Sequence, residues 1–418
     1  MKNKHKKYWT ILIGSILFLI LTVLFSSKIK HDFLKLNNMS KSVSAETLQN
    51  NNLNANIKNE MRAIWVPYMD LDMKGTDYSQ TSFQKKFDCI VNESKSFNMN
   101  TLIVHVRPFG DALYPSKISP WSHIISGTQG NDPGYDPLKY MVEKTHQAGM
   151  KIQAWINPLR VQLANQPEII SNDSPFSKWK RSDNLNTSDI VVDLGAEKYY
   201  NPGYPEIRKL IIDGVKEVVS NYDVDGIHFD DYFYPKNNET FDTACYNEYC
   251  SKIKQGQALD HLKWRTANIS SLIAGVYSAI KSIKPNIEFG ISPECNISND
   301  LEVGADVYSW MKSPGYLDYI CPQTYVNFEN PNLPFSKSVD EWKSLIKGDN
   351  IKLYYGIGVY KAGSDLDEGT WKKSNNILMH QVEYARSVGC DGFMLFSYGD
   401  LKKPQSKEEV INVMKLFK

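Results

Sequence analysis

The sequence predicts an α/β protein whose body is a (β/α)8 TIM barrel, preceded by an N-terminal membrane anchor and a flexible tether. Two observations lead to the barrel. Eight short runs rich in β-branched and aromatic residues alternate with amphipathic stretches of helical period along the body of the chain. Each run is nearly continuously apolar, as a parallel strand covered by helices on one side and a packed interior on the other must be. A doubly wound open sheet is the competing architecture. It calls for a glycine-rich phosphate loop after a strand, and neither GxGxxG nor GxxxxGKS/T occurs.

Residues 1–28 form the expected anchor. An apolar run from Ile11 to Phe25, broken only by Gly14, Ser15 and Thr22, lies between Lys7 and Lys28. Its length falls between a spanning helix of about 20 residues and a signal-peptide core of about 7–15. Lys2, Lys4, Lys6 and Lys7 should stay in the cytoplasm, which sends the C-terminal body outward. The tidy small-residue cleavage site, Val43-Ser44-Ala45, stands about 20 residues past the apolar core, too far for the usual signal-peptide geometry. The run therefore reads as an uncleaved signal anchor of a single-pass cell-membrane protein with an extracytoplasmic body; secretion after cleavage is the alternative. Residues 29–60, rich in Ser, Asn, Lys and Gln, read as a flexible linker, and the barrel occupies 61–418.

The eight strand runs follow in order: RAIWVPYM from Arg62, TLIVHVRP from Thr101, KIQAWINP from Lys151, DGIHFDDYF from Asp225, IEFGISPE from Ile287, LDYICPQTY from Leu317, KLYYGIGVY from Lys352 and GFMLFSYG from Gly392. Helical patterns fall between them at Phe83, Pro137, Pro205 and Trp264. Polar turns such as Asn98-Met99-Asn100, Gly149-Met150, Asp223-Val224-Asp225 and Gly389-Cys390-Asp391 separate a helix from the next strand. Long insertions follow the second, third and fourth runs, at the face where barrel enzymes keep their chemistry.

Composition narrows the function. The 418 residues hold 48 Lys and Arg against 47 Asp and Glu, with 12% aromatic content. Six of those lysines sit in the first thirty residues without an acid, so the body is mildly acidic and a poor polyanion binder; no nucleic-acid partner is expected. The six cysteines are scattered and read as buried small hydrophobes, with Cys245 and Cys250 the one pair close enough to bridge in an exposed loop. No His or Cys spacing suits a metal, and no cofactor motif is present.

The strand ends are where catalytic groups belong. They carry carboxylates, amides and aromatic rings, which suit sugars: hydroxyls need planar donors and acceptors, and CH faces pack on rings. The candidate catalytic residues are Asp230, Asp231 and Glu294, with Asp193 a further option for the second carboxylate. Candidate substrate-binding residues are Trp65, His105, Arg107, Asp111, Trp155, Asn157, Arg160, His228, Tyr232, Gln323, Tyr325 and Tyr398. DGIHFDDYFYP, residues 225–235, is the strongest local signal. Its alternation sends Ile227, Phe229 and Asp231 to one side and Gly226, His228 and Asp230 to the other. Neighbouring carboxylates raise each other's pKa, as a general acid requires. Arg107 and Gln323 are both expected to point into the barrel mouth. A guanidinium beside Asp230 would suit a nucleophile, whereas burial among Tyr232, Phe233 and Tyr234 would suit an acid.

Several long stretches carry a resemblance: MRAIWVPYMDLD, FNMNTLIVHVRPFGDALYPSKISPWS, GYDPLKYMVEKTHQAGMKIQAWINPLRV, DGIHFDDYFYP and YICPQTY. From Met61 to about Asp400 the chain resembles the glycosyl hydrolase-like family ten domain of bacterial cell-surface proteins. The resemblance implies a barrel related to retaining glycosidases and an association with bacterial cell-wall glycans. Arg107, Asp111, Asn157, Arg160, Asp230, Asp231, Gln323 and Tyr325 fall within its motifs. The chain reads SPEC from Ser292 where many relatives read SPFG, so the resemblance does not make Glu294 catalytic. The expected function is a membrane-tethered extracellular glycoside hydrolase using carboxylate acid/base catalysis on a wall glycan, peptidoglycan first among them. A non-catalytic carbohydrate-binding barrel is the alternative. The two divide on whether two carboxyl groups flank the scissile bond.

Overall fold

The computed structural model describes residues 59–182, 188–231, 233–235, 238–346 and 351–417. The expected anchor, nearly all of the linker, and Tyr232 lie outside them. Among the described residues no helix is long and apolar enough to cross a membrane.

In chain order the strands are β1 (Met61–Val66), β2 (Thr101–Arg107), β3 (Lys151–Ile156), β4 (Arg160–Gln162), β5 (Val191–Asp193), β6 (Lys198–Tyr200), β7 (Gly226–Phe229), β8 (Glu288–Ile291), β9 (Tyr319–Ile320), β10 (Lys352–Gly358) and β11 (Gly392–Phe396). Eight of them close into a parallel barrel in the order β1-β11-β10-β9-β8-β7-β3-β2, each coinciding with one of the eight apolar runs, β1 starting one residue before its run. β4, β5 and β6 form a separate antiparallel sheet in the insertion after β3, in the order β4-β6-β5. The main helices are α1 (Gln80–Ser96), α2 (Pro137–Gln147), α3 (Pro205–Asn221), α4 (Thr243–Lys252), α5 (His261–Ile283), α6 (Phe335–Leu345), α7 (Ile377–Ser387) and α8 (Lys407–Met414).

Local chemistry sets these boundaries. Ser79, Asp136 and Asp260 cap α1, α2 and α5 by accepting from Ser82 N, Lys139 N and Lys263 N, and proline opens α2 and α3. Polar residues just before strands stitch the barrel floor. Asn100 Oδ1 accepts from Arg62 N at 2.9 Å, Asp225 Oδ2 from Ile152 N at 2.8 Å, Asp318 Oδ2 from Phe289 N at 2.7 Å and Asp391 Oδ2 from Leu353 N at 2.9 Å. Each satisfies an amide at the start of the neighbouring strand, and several such residues sit in the polar turns legible in sequence.

Side-chain alternation divides the barrel core. Met61, Ala63, Trp65, Ile103, Trp155, Tyr319, Cys321, Tyr354 and Met394 fill the interior. Ile64, Val66, Leu102, Val104, Ile227 and Phe229 face the helices. Gly290 is required by this packing: a Cβ there would stand 2.0 Å from Cζ of Tyr319, its neighbour across β8 and β9. All six cysteines are free. Cys245 and Cys250 lie on α4, not in an exposed loop, and a five-residue spacing turns them to different helix faces.

Candidate active site

β7 ends at Phe229, so Asp230 and Asp231 are the first residues beyond the sheet. Freed from strand alternation, both line one cavity of about 270 Å³ at the C-terminal mouth of the barrel, contrary to the expectation that they face opposite sides. Trp65, Tyr68, His105, Trp155, Arg160, Ser292, Gln323, Tyr325 and Phe396 share the lining. The aromatic rings touch one another: Tyr325 packs on Phe396 with centroids 5.4 Å apart, and Phe396 meets Trp65 edge-on at 5.9 Å.

Asp230 is 3% exposed and held from two directions. Trp155 Nε1 donates to its Oδ2 at 3.0 Å, and Asn157 Nδ2 donates to both carboxyl oxygens at 3.1 Å. Asn157 is fixed in turn, since its Oδ1 accepts from Arg160 N at 2.9 Å. Burial pushes the Asp230 carboxyl up to about 7 and Asp231 adds repulsion; Arg160 and the Trp155 and Asn157 donors pull against them. Asp231 is also raised, chiefly by burial, with a hydrogen bond from Gln323 opposing and Glu294 repelling. Two interacting carboxyls that both resist ionisation are suited to storing and delivering a proton.

Arg107 is not the cation at this site. Ile103 and His105 point inward, and simple alternation would carry Arg107 inward too. A bulge between His105 and Arg107 pairs Arg107 with Ile156, whose side chain faces the helices. The Arg107 guanidinium is fully buried against α3, where an added Cβ at Gly214 would stand 3.1 Å from Nη1. Arg160, expected only as a substrate-binding residue, is the cation that acts on Asp230, with its guanidinium over the Phe109 ring at 5.3 Å.

Five other expectations are redirected. His228 lies under the cavity: its Nε2 accepts from Trp65 Nε1 at 3.1 Å and Nδ1 meets Tyr319 Oη at 2.7 Å. Asp111 is a loop pin, accepting from Phe109 N at 3.1 Å and facing His123 Nδ1 at 3.7 Å. Tyr398 turns away to donate to Glu93 on α1 at 2.7 Å. Asp193 is paired with Lys180 and with Lys198 at 3.2 Å in the small sheet. Glu294 sits beside the cavity but outside its lining, its Oε2 accepting from Asn299 at 2.6 Å. Gln323 does reach the mouth; it contacts Asp231 and donates to Ser292 O at 3.0 Å.

His105 joins the lining as expected, with an unusual environment. It stacks on Trp155 with centroids 3.7 Å apart and planes 7° from parallel, and burial pushes its pKa well down. Neither ring nitrogen has a hydrogen-bond partner. Pro67, Met69, Leu163 and Phe396 complete the lining without a mark in the sequence, since apolar residues at and beyond strand ends carry no distinctive signal. Among the described residues no group of three His, Cys, Asp or Glu side chains is placed to hold a metal ion.

The model of the glycosyl hydrolase-like 10 family matches residues 60–372. The chain belongs to that family. It is 34% identical over 372 residues to glycosyl hydrolase DigH of Escherichia coli strain K12, covering 84% of this chain and 83% of the relative. It is 32% identical over 375 residues to glycosyl hydrolase YngK of Bacillus subtilis strain 168, covering 84% and 70%. The PgaB (BpsB) glycoside hydrolase domain from Bordetella bronchiseptica superposes with a TM-score of 0.54 at 13% identity, over 85% of this chain and 99% of that one. An endo-1,4-beta-mannanase from Rhizomucor miehei gives 0.51 at 10% identity, over 85% and 94%. At those identities the structures speak for the fold alone. Family membership makes this barrel a glycoside hydrolase.

Proposed function

We propose that this glycoside hydrolase is tethered to the outer face of the cell membrane and cuts a bacterial cell-wall glycan, peptidoglycan strands, with Asp230 as the general acid. The observation that carries the catalytic part is the Asp230 carboxyl, pinned by Trp155 and Asn157 and pushed up to about 7 in an aromatic-lined mouth. An acid with that pKa keeps a proton near neutral pH and releases it readily to a glycosidic oxygen. Trp155 and Asn157 then stabilise the carboxylate left behind, and Arg160 supplies the nearby positive charge. Trp65, Trp155 and Tyr325 put aromatic carbon into the cavity lining, where sugar CH groups would pack.

The wall-glycan assignment draws on the resemblance to cell-surface family members and on the lysine-flanked apolar run at the N-terminus. Its test is incubation of the full-length chain with purified peptidoglycan, with and without stem peptides, followed by mass spectrometry of released fragments. Soluble disaccharide-based products absent from an Asp230→Asn digest are expected. No release from either preparation would overturn the substrate assignment. For the tether, membrane-fraction protein with an intact N-terminus is expected, and a form beginning near Glu46 in the medium would replace it with secretion.

A further inference from the structure

Hydrolysis by two carboxyl groups places one on each face of the sugar ring, so that a nucleophile or an activated water meets the anomeric carbon opposite the departing oxygen. The mouth of this barrel has a different layout. Among the described residues, the two carboxylates in the cavity lining are Asp230 and Asp231. They are consecutive, with Cα atoms about 3.8 Å apart, and leave the end of one strand. Both therefore approach the sugar from the β7 side. Across the closed barrel from β7 stands β11, whose end presents Phe396, flanked by Trp65 from β1 and Tyr325 from the segment after β9. That wall is aromatic and puts no carboxylate into the lining. Three further acids stand near the mouth but outside the lining: Glu294 on the β8 side, whose Oε2 accepts from Asn299, and Asp70 and Asp400 beyond β1 and β11, whose carboxylates accept from Gly399 N and from Ser397 N and Oγ.

The missing nucleophile can be carried by the sugar. We propose that the acetamido group of a β-linked 2-acetamido-2-deoxy sugar supplies it, with Asp230 protonating the leaving oxygen and Asp231 holding the acetamide N–H. This rests on the glycosidase reading above and names the substrate class that the site requires. As the bond between the anomeric carbon and the glycosidic oxygen breaks, the acetamide carbonyl oxygen bonds to that carbon from the opposite ring face. The departing oxygen takes the Asp230 proton. The positive charge is shared over the oxygen, carbon and nitrogen of a cyclic oxazolinium ion, beside the Asp231 carboxylate. Water then gives a proton to Asp230, adds its oxygen to the anomeric carbon and reopens the ring with net retention. Gln323, donating to Asp231, fixes the carboxylate that must orient the acetamide. The apolar wall at β11 suits the acetamide methyl.

The acyl group itself provides the test, so no variant has to fold. Glycan strands that the wild-type chain cuts are de-N-acetylated and re-acylated with either acetyl or trifluoroacetyl groups. The second is close in size, but its carbonyl oxygen is a poor nucleophile. Cleavage of re-acetylated strands with retained anomeric configuration is expected. On trifluoroacetylated strands kcat should fall by a factor on the order of 10² with KM little changed. Equal kcat on both, or an inverted product, would overturn assistance by the acetamide and leave the hydrolase intact. Failure to cut any glycan, the re-acetylated control included, would instead overturn the hydrolase reading beneath it.

Discussion

Beneath the cavity, Trp65, His228, Tyr319 and Gln153 form a chain in which donors meet acceptors. The indole N–H can only donate, so His228 Nε2 accepts and its proton sits on Nδ1, facing Tyr319 Oη; Tyr319 then donates to Gln153 Oε1 at 2.5 Å. At the mouth, His105 has both nitrogens unpartnered and two adjacent carboxyls are pushed upward. Both regions are buried and both use imidazole. The lower one is neutral and internally satisfied, which makes it a device for stability. The upper one is electrostatically uncomfortable without a ligand, and a substrate can relieve it. The contrast predicts that mutations below should cost stability and mutations above should cost activity.

The largest effect should come from Asp230→Asn, which keeps shape and removes the titratable proton. Turnover should fall by about 10²–10⁴-fold, read as kcat on defined strands. Stability should move the other way. The folded chain holds the Asp230 proton more tightly than the unfolded chain, so folded stability falls as pH rises from the ordinary carboxylate range through about 7. The gain in Tm of Asp230→Asn over wild type should therefore be greater at pH 8 than at pH 5. Activity requires the same proton, so wild-type kcat/KM should decline as pH rises through about 7. A variant with wild-type turnover would place Asp230 among the structural groups.

Next comes Tyr319→Phe, which strands the His228 Nδ1–H and the Gln153 carbonyl in the interior. The expected loss is about 3 kcal/mol in denaturant unfolding, as each buried group left unpaired costs about 1–3 kcal/mol. Turnover of the folded fraction should hardly change. A large fall in kcat with normal stability would merge the two regions into one catalytic unit.

His105→Phe should show the opposite signature. Stacking on Trp155 is kept and two unpartnered nitrogens are removed, so stability should hold or rise. If a sugar hydroxyl normally bonds to the imidazole, kcat/KM should drop about tenfold, equivalent to ~1.4 kcal/mol for one hydrogen bond. Lost stability with unchanged kinetics would move His105 into the structural set.

How far sequence reaches is itself uneven between these regions. The barrel was legible because eight apolar runs and their polar turns repeat at a spacing that local hydrogen bonding enforces. Asp230, Trp155 and Gln323 were legible because strand ends in such barrels converge on one mouth. Arg107 was misplaced because a single-residue bulge reverses the side a strand residue faces, and nothing in VHVR marks it. Asp231 is a catalytic candidate from sequence and lines the mouth, but strand alternation gives it the wrong side because the ladder ends at Phe229, two residues before it. Likewise, the roles of His228 and Tyr398 depend on partners 91 and 305 residues distant, which no local pattern specifies.

The smallest effect sharpens the boundary between mouth and helix layer. Gly214 lies mid-helix in α3, where replacing glycine by alanine ordinarily stabilises by about 1 kcal/mol. Here the new methyl would stand 3.1 Å from Arg107 Nη1, so the guanidinium must yield by a few tenths of an ångström within a fully buried setting beside Tyr200. Overpacking of this kind costs about as much as the propensity gains. Gly214→Ala is thus expected to leave unfolding free energy within about 1 kcal/mol of wild type, with kcat and KM unchanged. The kinetic half of that expectation follows from the bulge, which points Arg107 at α3 and away from Asp230. A fall in kcat at unaltered stability would mean that displacing Arg107 is felt at the mouth. The cation that tunes the carboxyl pair would then be shared between Arg107 and Arg160.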